Sequence, residues 1–127
     1  MRQKHRILYI EDHEDTRELI TLVLHQNDFE VISDRTIESG IRLAKQDQFD
    51  LYLLDSWLPD GSGLDLCKKI REFDAHTPIL FYSAAAYQDD KRLAIECGAQ
   101  GYLTKPGHNS ELCETVTSLI NSSPKNL

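Results

Sequence analysis

The residues best suited to chemistry are acids that directly follow short apolar runs: Glu11-Asp12 after residues 7–10, and Asp55 after residues 51–54. Ser83 closes the run at 79–82, and Lys105-Pro106 follows 102–103 closely. Three carboxylates brought close together repel one another, so a protein keeps such a cluster only if a cation, protons or a functional need offsets the repulsion. A hard dication is the natural occupant. Mg²⁺, which takes few carboxylates, several waters and phosphate oxygens, suits this set better than calcium does. A hydroxyl and an ammonium facing the acids would be out of place in a pure metal buffer. They make sense if Asp55 is a nucleophile that gains a phosphoryl group, with Ser83 and Lys105 holding its oxygens while the metal neutralises the rest.

These residues meet only if the elements that carry them are neighbours. The apolar runs at 7–10, 31–32, 51–54, 79–82 and 102–103 have the lengths of buried strands. Between and after them lie helical spacings: Leu19, Ile20, Val23 and Leu24; Ile37, Ile41 and Ala44; Leu66, Cys67 and Ile70; Leu93, Ala94 and Cys97; and Leu112, Val116, Leu119 and Ile120. Gly98 reads as a helix stop, Thr36 as the N-cap of the second helix, and Asn109 or Ser110 as that of the fifth. Strict alternation of strand and helix predicts an α/β fold: a five-stranded parallel sheet, doubly wound, with helices on both faces and three layers in all. In such sheets ligands bind at the carboxyl ends of the strands, where the strand order reverses. With the order 2-1-3-4-5, Glu11, Asp12 and Asp55 converge, and Ser83 and Lys105 approach from the other side.

The chain of 127 residues is the size of one domain, read as residues 1–121, with 122–127 a tail or the start of a linker. A formal charge of −7 with scattered basic residues leaves no stripe for a phosphate backbone, so direct nucleic-acid binding is not expected. No apolar stretch is long enough for a membrane span or a signal-peptide core, which points to a cytoplasmic protein. Cys67, Cys97 and Cys113 form no Cys-x-x-Cys pair and sit in apolar helical patterns, as buried thiols in a reducing compartment do. The five histidines show no metal-ligand spacing and are read as surface residues.

In combination, Glu11-Asp12, the run Asp55-Ser-Trp-Leu-Pro-Asp-Gly-Ser-Gly63, Ser83-Ala84 and Gly98-Ala-Gln-Gly-Tyr-Leu-Thr-Lys-Pro106 resemble the receiver domains of two-component response regulators, over roughly residues 6–120. The resemblance implies a flavodoxin-like (β/α)5 fold. It implies that Asp55 is phosphorylated, that Asp12 and Asp55 ligate Mg²⁺ together with the backbone carbonyl of Trp57, and that Glu11 assists through a water. Mn²⁺ is expected to substitute. It further implies that Ser83 bonds the phosphoryl group, that Lys105 supplies the ammonium, that Tyr102 rotates inward when Ser83 moves, and that the Lys105–Pro106 bond is cis. The implied donor is a sensor histidine kinase or a phosphotransfer protein. The implied output is a change in the face made by the fourth helix, fifth strand and fifth helix, which regulates a protein partner or output domain and can support a phosphorylation-linked homodimer.

Three positions depart from the family's usual pattern: the bulky Trp57, the small Ala85 and Gly107 after the Lys-Pro pair. They bear on the lifetime of the phosphorylated state and on the signalling surface. An enzyme of the haloacid dehalogenase type would need an aspartate where Trp57 stands, and a flavin carrier would need a phosphate-cradling loop where Glu11-Asp12 stand. The alternative within the family is a degenerate receiver that binds partners without phosphorylation. Its mark is loss of the aspartate or the lysine, and both are present.

Overall fold

A computed structural model describes residues 4–85 and 88–124. Five strands, β1 (Arg6–Ile10), β2 (Glu30–Asp34), β3 (Leu51–Leu54), β4 (Ile79–Ser83) and β5 (Gly101–Thr104), alternate with α1 (Glu14–Gln26), α2 (Ile37–Gln46), α3 (Gly63–Arg71), α4 (Gln88–Glu96) and α5 (Asn109–Asn121). All four pairings in the main sheet are parallel, as the alternation predicts, and the strand order is β2-β1-β3-β4-β5, the order on which the convergence of the acids depends. Successive strand residues point to opposite faces. Leu8, Ile10, Tyr52, Leu54 and Phe81 pack with Ile37, Leu66, Ile70 and Ala94, whereas Ile7, Tyr9, Leu51, Leu53 and Leu80 pack with Ile20, Leu24, Leu112, Val116 and Ile120. Helices α2, α3 and α4 thus cover one face, and α1 and α5 the other.

A short antiparallel pair, Trp57–Leu58 with Gly61–Ser62, turns the chain between β3 and α3. Thr36 caps α2 in a reciprocal box with Ser39, and the Asp60 carboxylate accepts from the N–H groups of Ile37 (2.8 Å) and Glu38 (3.1 Å), tying that turn to the same helix end. Gly98 ends the α4 segment at φ +107°, where a side chain would be strained. The Lys105–Pro106 peptide is cis.

Three local readings are corrected. Helix α5 starts at Asn109 with His108 at the cap position making no side-chain capping bond, so neither Asn109 nor Ser110 is the N-cap. Leu19 and Leu93 belong to apolar stripes in sequence, but Leu19 is 55% and Leu93 37% exposed. Cys67 and Cys113 are buried as expected, while Cys97 is only half-buried. Among the described residues no helix is long and apolar enough to cross a membrane.

Candidate functional site

The carboxyl edge of the sheet places the acids by backbone pairing. Glu11 N–H donates to the Asp34 carbonyl at 3.0 Å and Asp55 N–H to the Ile10 carbonyl at 3.0 Å, so both residues extend neighbouring strands by one position. Lys105 N–H donates to the Ser83 carbonyl at 2.8 Å and does the same for the β4–β5 pair. One carboxylate oxygen each from Glu11, Asp12 and Asp55 lies within 4.8 Å of the others. Glu11 and Asp55 are buried and Asp12 is exposed, so the cluster opens to solvent on one side.

The Lys105 ammonium is ion-paired with Glu11 Oε1 and lies 3.8 Å from Asp55 Oδ1. Glu11 also accepts from Tyr9 OH (3.4 Å) and from the N–H of His13 (3.3 Å). Such partners are what permits a carboxylate with 1% exposure to persist. Three acids against one lysine still leave excess negative charge. Burial first, then the neighbouring Glu11, pushes the Asp55 carboxyl up to about 6, against the pull of Lys105 and the Ser56 N–H. Burial, with Glu11 and Asp55 nearby, likewise raises the Tyr9 phenol.

The other residues singled out in the sequence are arranged around this centre. Ser83 is fully buried at the end of β4, where its Oγ accepts from the Ala85 N–H at 3.2 Å. Tyr102 on β5 stacks its ring on Phe81 at 5.9 Å and donates its hydroxyl to the Ala85 carbonyl. Ser83 and Tyr102 therefore grip the same residue of the β4–α4 loop, one by its N–H and one by its C=O. The Tyr102 hydroxyl also lies 3.4 Å from Ser56 Oγ, beside the residue that follows Asp55. Trp57 heads the short antiparallel pair with its side chain 67% exposed. No side-chain partner of Trp57 is found among the described residues.

Two residues were not singled out from sequence. His13, read only as a surface residue, is the N-cap of α1: its Nδ1 accepts from Thr16 N–H at 3.2 Å and pairs with Thr16 Oγ1 at 2.8 Å. Histidine is not among the usual capping residues, so no sequence signal marked it. Arg17, one turn into α1, sends Nη1 back to the Glu11 carbonyl at 2.9 Å and the Asp12 carbonyl at 3.5 Å. The only sequence signal for it was a basic residue shortly after an acidic pair.

The family profile described as "Response regulator receiver domain" matches residues 7–117. The cell cycle transcriptional regulator CtrA of Caulobacter vibrioides is 36% identical over 118 residues, which are 93% of this chain and 51% of that protein. A probable transcriptional regulatory protein of a Picosynechococcus strain is 36% identical over 136 residues, 97% of this chain and 54% of its own length. The chain thus spans about half the length of these curated relatives. Among solved structures, the non-phosphorylated HemR receiver domain of Leptospira biflexa superposes with a TM-score of 0.85 at 34% identity, covering 92% of this chain and 94% of that one. A CheY-like receiver domain protein of Methanospirillum hungatei gives 0.89 at 23% identity, covering 93% and 94%, a likeness of fold.

Proposed function

Because the chain belongs to the response regulator receiver domain family, we propose that it is a phosphorylation-dependent switch whose phosphoacceptor is Asp55. One observation carries the reading: Glu11 with Asp12, Asp55 and Lys105 come from three separate strand ends and converge on one edge of the sheet, with the acids within 4.8 Å of one another. Surface residues chosen independently seldom meet in this way.

The donor set fits Mg²⁺ by its chemistry, since all three side chains offer hard oxygens and few of them are needed. Asp12 and Asp55 are read as the direct ligands, with the third group acting through water. Glu11 is that third group, its carboxylate already held by Lys105, Tyr9 and His13. The Trp57 carbonyl is proposed as a further ligand, and Mn²⁺ as a substitute ion. The bound cation supplies the positive charge that lets two anions, the carboxylate and the phosphoryl group, approach each other.

In the proposed reaction an Asp55 oxygen attacks the phosphorus of a phosphohistidine on a sensor kinase or phosphotransfer protein. The new O–P bond forms as the N–P bond breaks, and the departing imidazole nitrogen keeps the electron pair and takes a proton from solvent. Lys105, 3.8 Å from Asp55 Oδ1, shifts toward the new phosphoryl oxygens. Ser83 turns its hydroxyl to the same group, loosening its hold on the Ala85 N–H, and Tyr102, anchored to the Ala85 carbonyl, follows the loop. The change reaches α4, β5 and α5, the face proposed to act in the cytoplasm on a protein partner, an output domain or a second copy.

The test is intact mass after incubation with a small phosphodonor. Wild type is expected to gain one phosphoryl group only with Mg²⁺ present, and Asp55→Asn none. Phosphate on Ser83 or Tyr102 instead would sink the mechanism. Lys105→Ala is expected to keep Mg²⁺ binding but to lose the change in amide exchange that phosphorylation causes at residues 84–85 and 101–104, because among the described residues no other ammonium is ion-paired with Asp55. An undiminished change in that variant contradicts the role given to Lys105. The loop expected to respond continues through Ala86 and Tyr87, which lie outside the described residues.

A further inference from the structure

Asp12 poses a problem that the proposed metal site leaves open. Its carboxylate is exposed, and among the described residues no hydrogen bond or ion pair holds that side chain, yet one of its oxygens lies within 4.8 Å of buried oxygens on Glu11 and Asp55. A loop aspartate without a partner samples many orientations, and fixing it on binding a cation costs affinity. Something other than its own side chain must aim it.

We infer that Arg17 is a positioning residue for the metal-binding acids, holding the carbonyl on each side of the Asp12 Cα and so aiming the Asp12 carboxylate at Asp55. The inference rests on the reading of the triad as a cation site. The two acceptors of Arg17 Nη1 are the Glu11 carbonyl, a full hydrogen bond at 2.9 Å, and the Asp12 carbonyl, a longer contact at 3.5 Å. Because peptide units are planar, the first carbonyl belongs to the plane before the Asp12 Cα and the second to the plane after it. Restraining both planes restrains φ and ψ of Asp12, and with them the direction of its Cα–Cβ bond. Helix α1 supplies a firm base: Arg17 N–H donates to the His13 carbonyl at 2.9 Å, and the guanidinium folds back from there over the loop.

The choice of acceptors matters as well. Arg17 makes no ion pair with any described carboxylate, although three stand at the adjacent strand ends. It brings positive charge to a crowded acidic edge without occupying a carboxylate oxygen of the cluster, unlike Lys105, which takes an oxygen of Glu11. Side chains that orient metal ligands from outside the coordination shell typically cost about 10–100-fold in affinity when removed. Mere proximity of a cation has the opposite sign, since an arginine that only repels Mg²⁺ would on removal strengthen binding. The two accounts are therefore separable by direction.

The experiment is a Mg²⁺ titration of metal-free wild type, Arg17→Met and Arg17→Lys, read by the fluorescence of Trp57, the single tryptophan and two residues from Asp55, and independently by calorimetry. Melting midpoints in chelator accompany it. Arg17→Met keeps the aliphatic stem and is expected to bind Mg²⁺ about tenfold or more weakly, with Arg17→Lys between it and wild type because an ammonium restores part of the carbonyl contact. If Arg17→Met loses fold stability in chelator, Arg17→Lys carries the test: weaker Mg²⁺ binding at an unchanged midpoint supports the inference, and affinity equal to wild type overturns it. Equal or tighter binding by a folded Arg17→Met also overturns it, leaving the metal reading intact. A wild type that takes up no Mg²⁺ removes the cation site itself, and the inference with it.

Discussion

Gly63→Ala is expected to destabilise the domain by about 3 kcal/mol or more and to abolish phosphorylation of whatever protein remains folded. Gly63 is the first residue of α3, where alanine would ordinarily be preferred to glycine by about 0.5–1 kcal/mol. The surroundings reverse the sign. A Cβ built there falls 2.0 Å from the Asp55 carbonyl oxygen, 3.0 Å from its carbonyl carbon and 3.0 Å from Phe81 Cε2. The oxygen is backbone, pinned by Asp55 N–H on the Ile10 carbonyl at 3.0 Å and by Gly63 N–H on the Ser56 carbonyl at 2.8 Å, so it cannot swing aside as a side chain would. The methyl group must displace the peptide that carries the proposed phosphoacceptor. Gly107 is the internal control: a Cβ there meets nothing closer than the Thr104 carbonyl at 3.4 Å, so Gly107→Ala is expected to be neutral or stabilising by about 0.5 kcal/mol through the unfolded chain. Denaturant midpoints of the two variants decide it, and a Gly63→Ala midpoint equal to wild type would show that β3 and α3 do not approach as described.

That close approach shows where the sequence was legible. Gly63 was part of the motif, and the convergence of Glu11, Asp12 and Asp55 followed from apolar strand lengths and the order of a parallel sheet, because strand ends are fixed by backbone pairing rather than by side-chain choice. What the pattern could not encode was which of several neighbouring apolar residues turns inward. Leu19 and Ile20 are adjacent in the α1 stripe, yet Ile20 is 3% and Leu19 55% exposed, a difference set by the rotation of the helix on the sheet. Contacts made by long side chains across loops were equally hidden. Lys105 was expected to face Asp55 and a phosphoryl group, and in the structure it is ion-paired with Glu11 while standing 3.8 Å from Asp55. Arg17 reaches backward to carbonyls, and Asp60 caps a helix 23 positions upstream, because carbonyls and free N–H groups attract charged side chains wherever the chain brings them, a choice that only the folded geometry specifies.

In metal-free buffer at neutral pH, Asp55→Asn is expected to be more stable than wild type, although it removes the residue on which the proposed switch depends. Burial and the Glu11 carboxylate raise the Asp55 carboxyl to about 6, while in the unfolded chain it returns to its ordinary value near 4. The folded state thus binds the proton more tightly than the unfolded state, and stability is lost as pH rises through about 6 and regained as it falls toward 4. The size of that displacement sets a ceiling of about 3 kcal/mol, and with Lys105 still paired to Glu11 a gain of about 1 kcal/mol or more is expected for the variant. The amide oxygen of asparagine can still accept the Ser56 N–H bond that Asp55 Oδ1 now accepts at 2.8 Å, so little is lost locally. The advantage should be full above about pH 7 and should vanish only below about pH 3, where the wild-type carboxyl is protonated in both states. Added Mg²⁺ should reverse the ranking, because a ligand stabilises in proportion to RT ln(1 + [L]/Kd) and the wild type keeps the better site. Denaturant melts of both proteins in chelator and in millimolar Mg²⁺, at several pH values, measure all of this. If the variant is the less stable protein in chelator and Mg²⁺ moves neither midpoint, the crowded carboxylates do not destabilise the fold and do not share a cation.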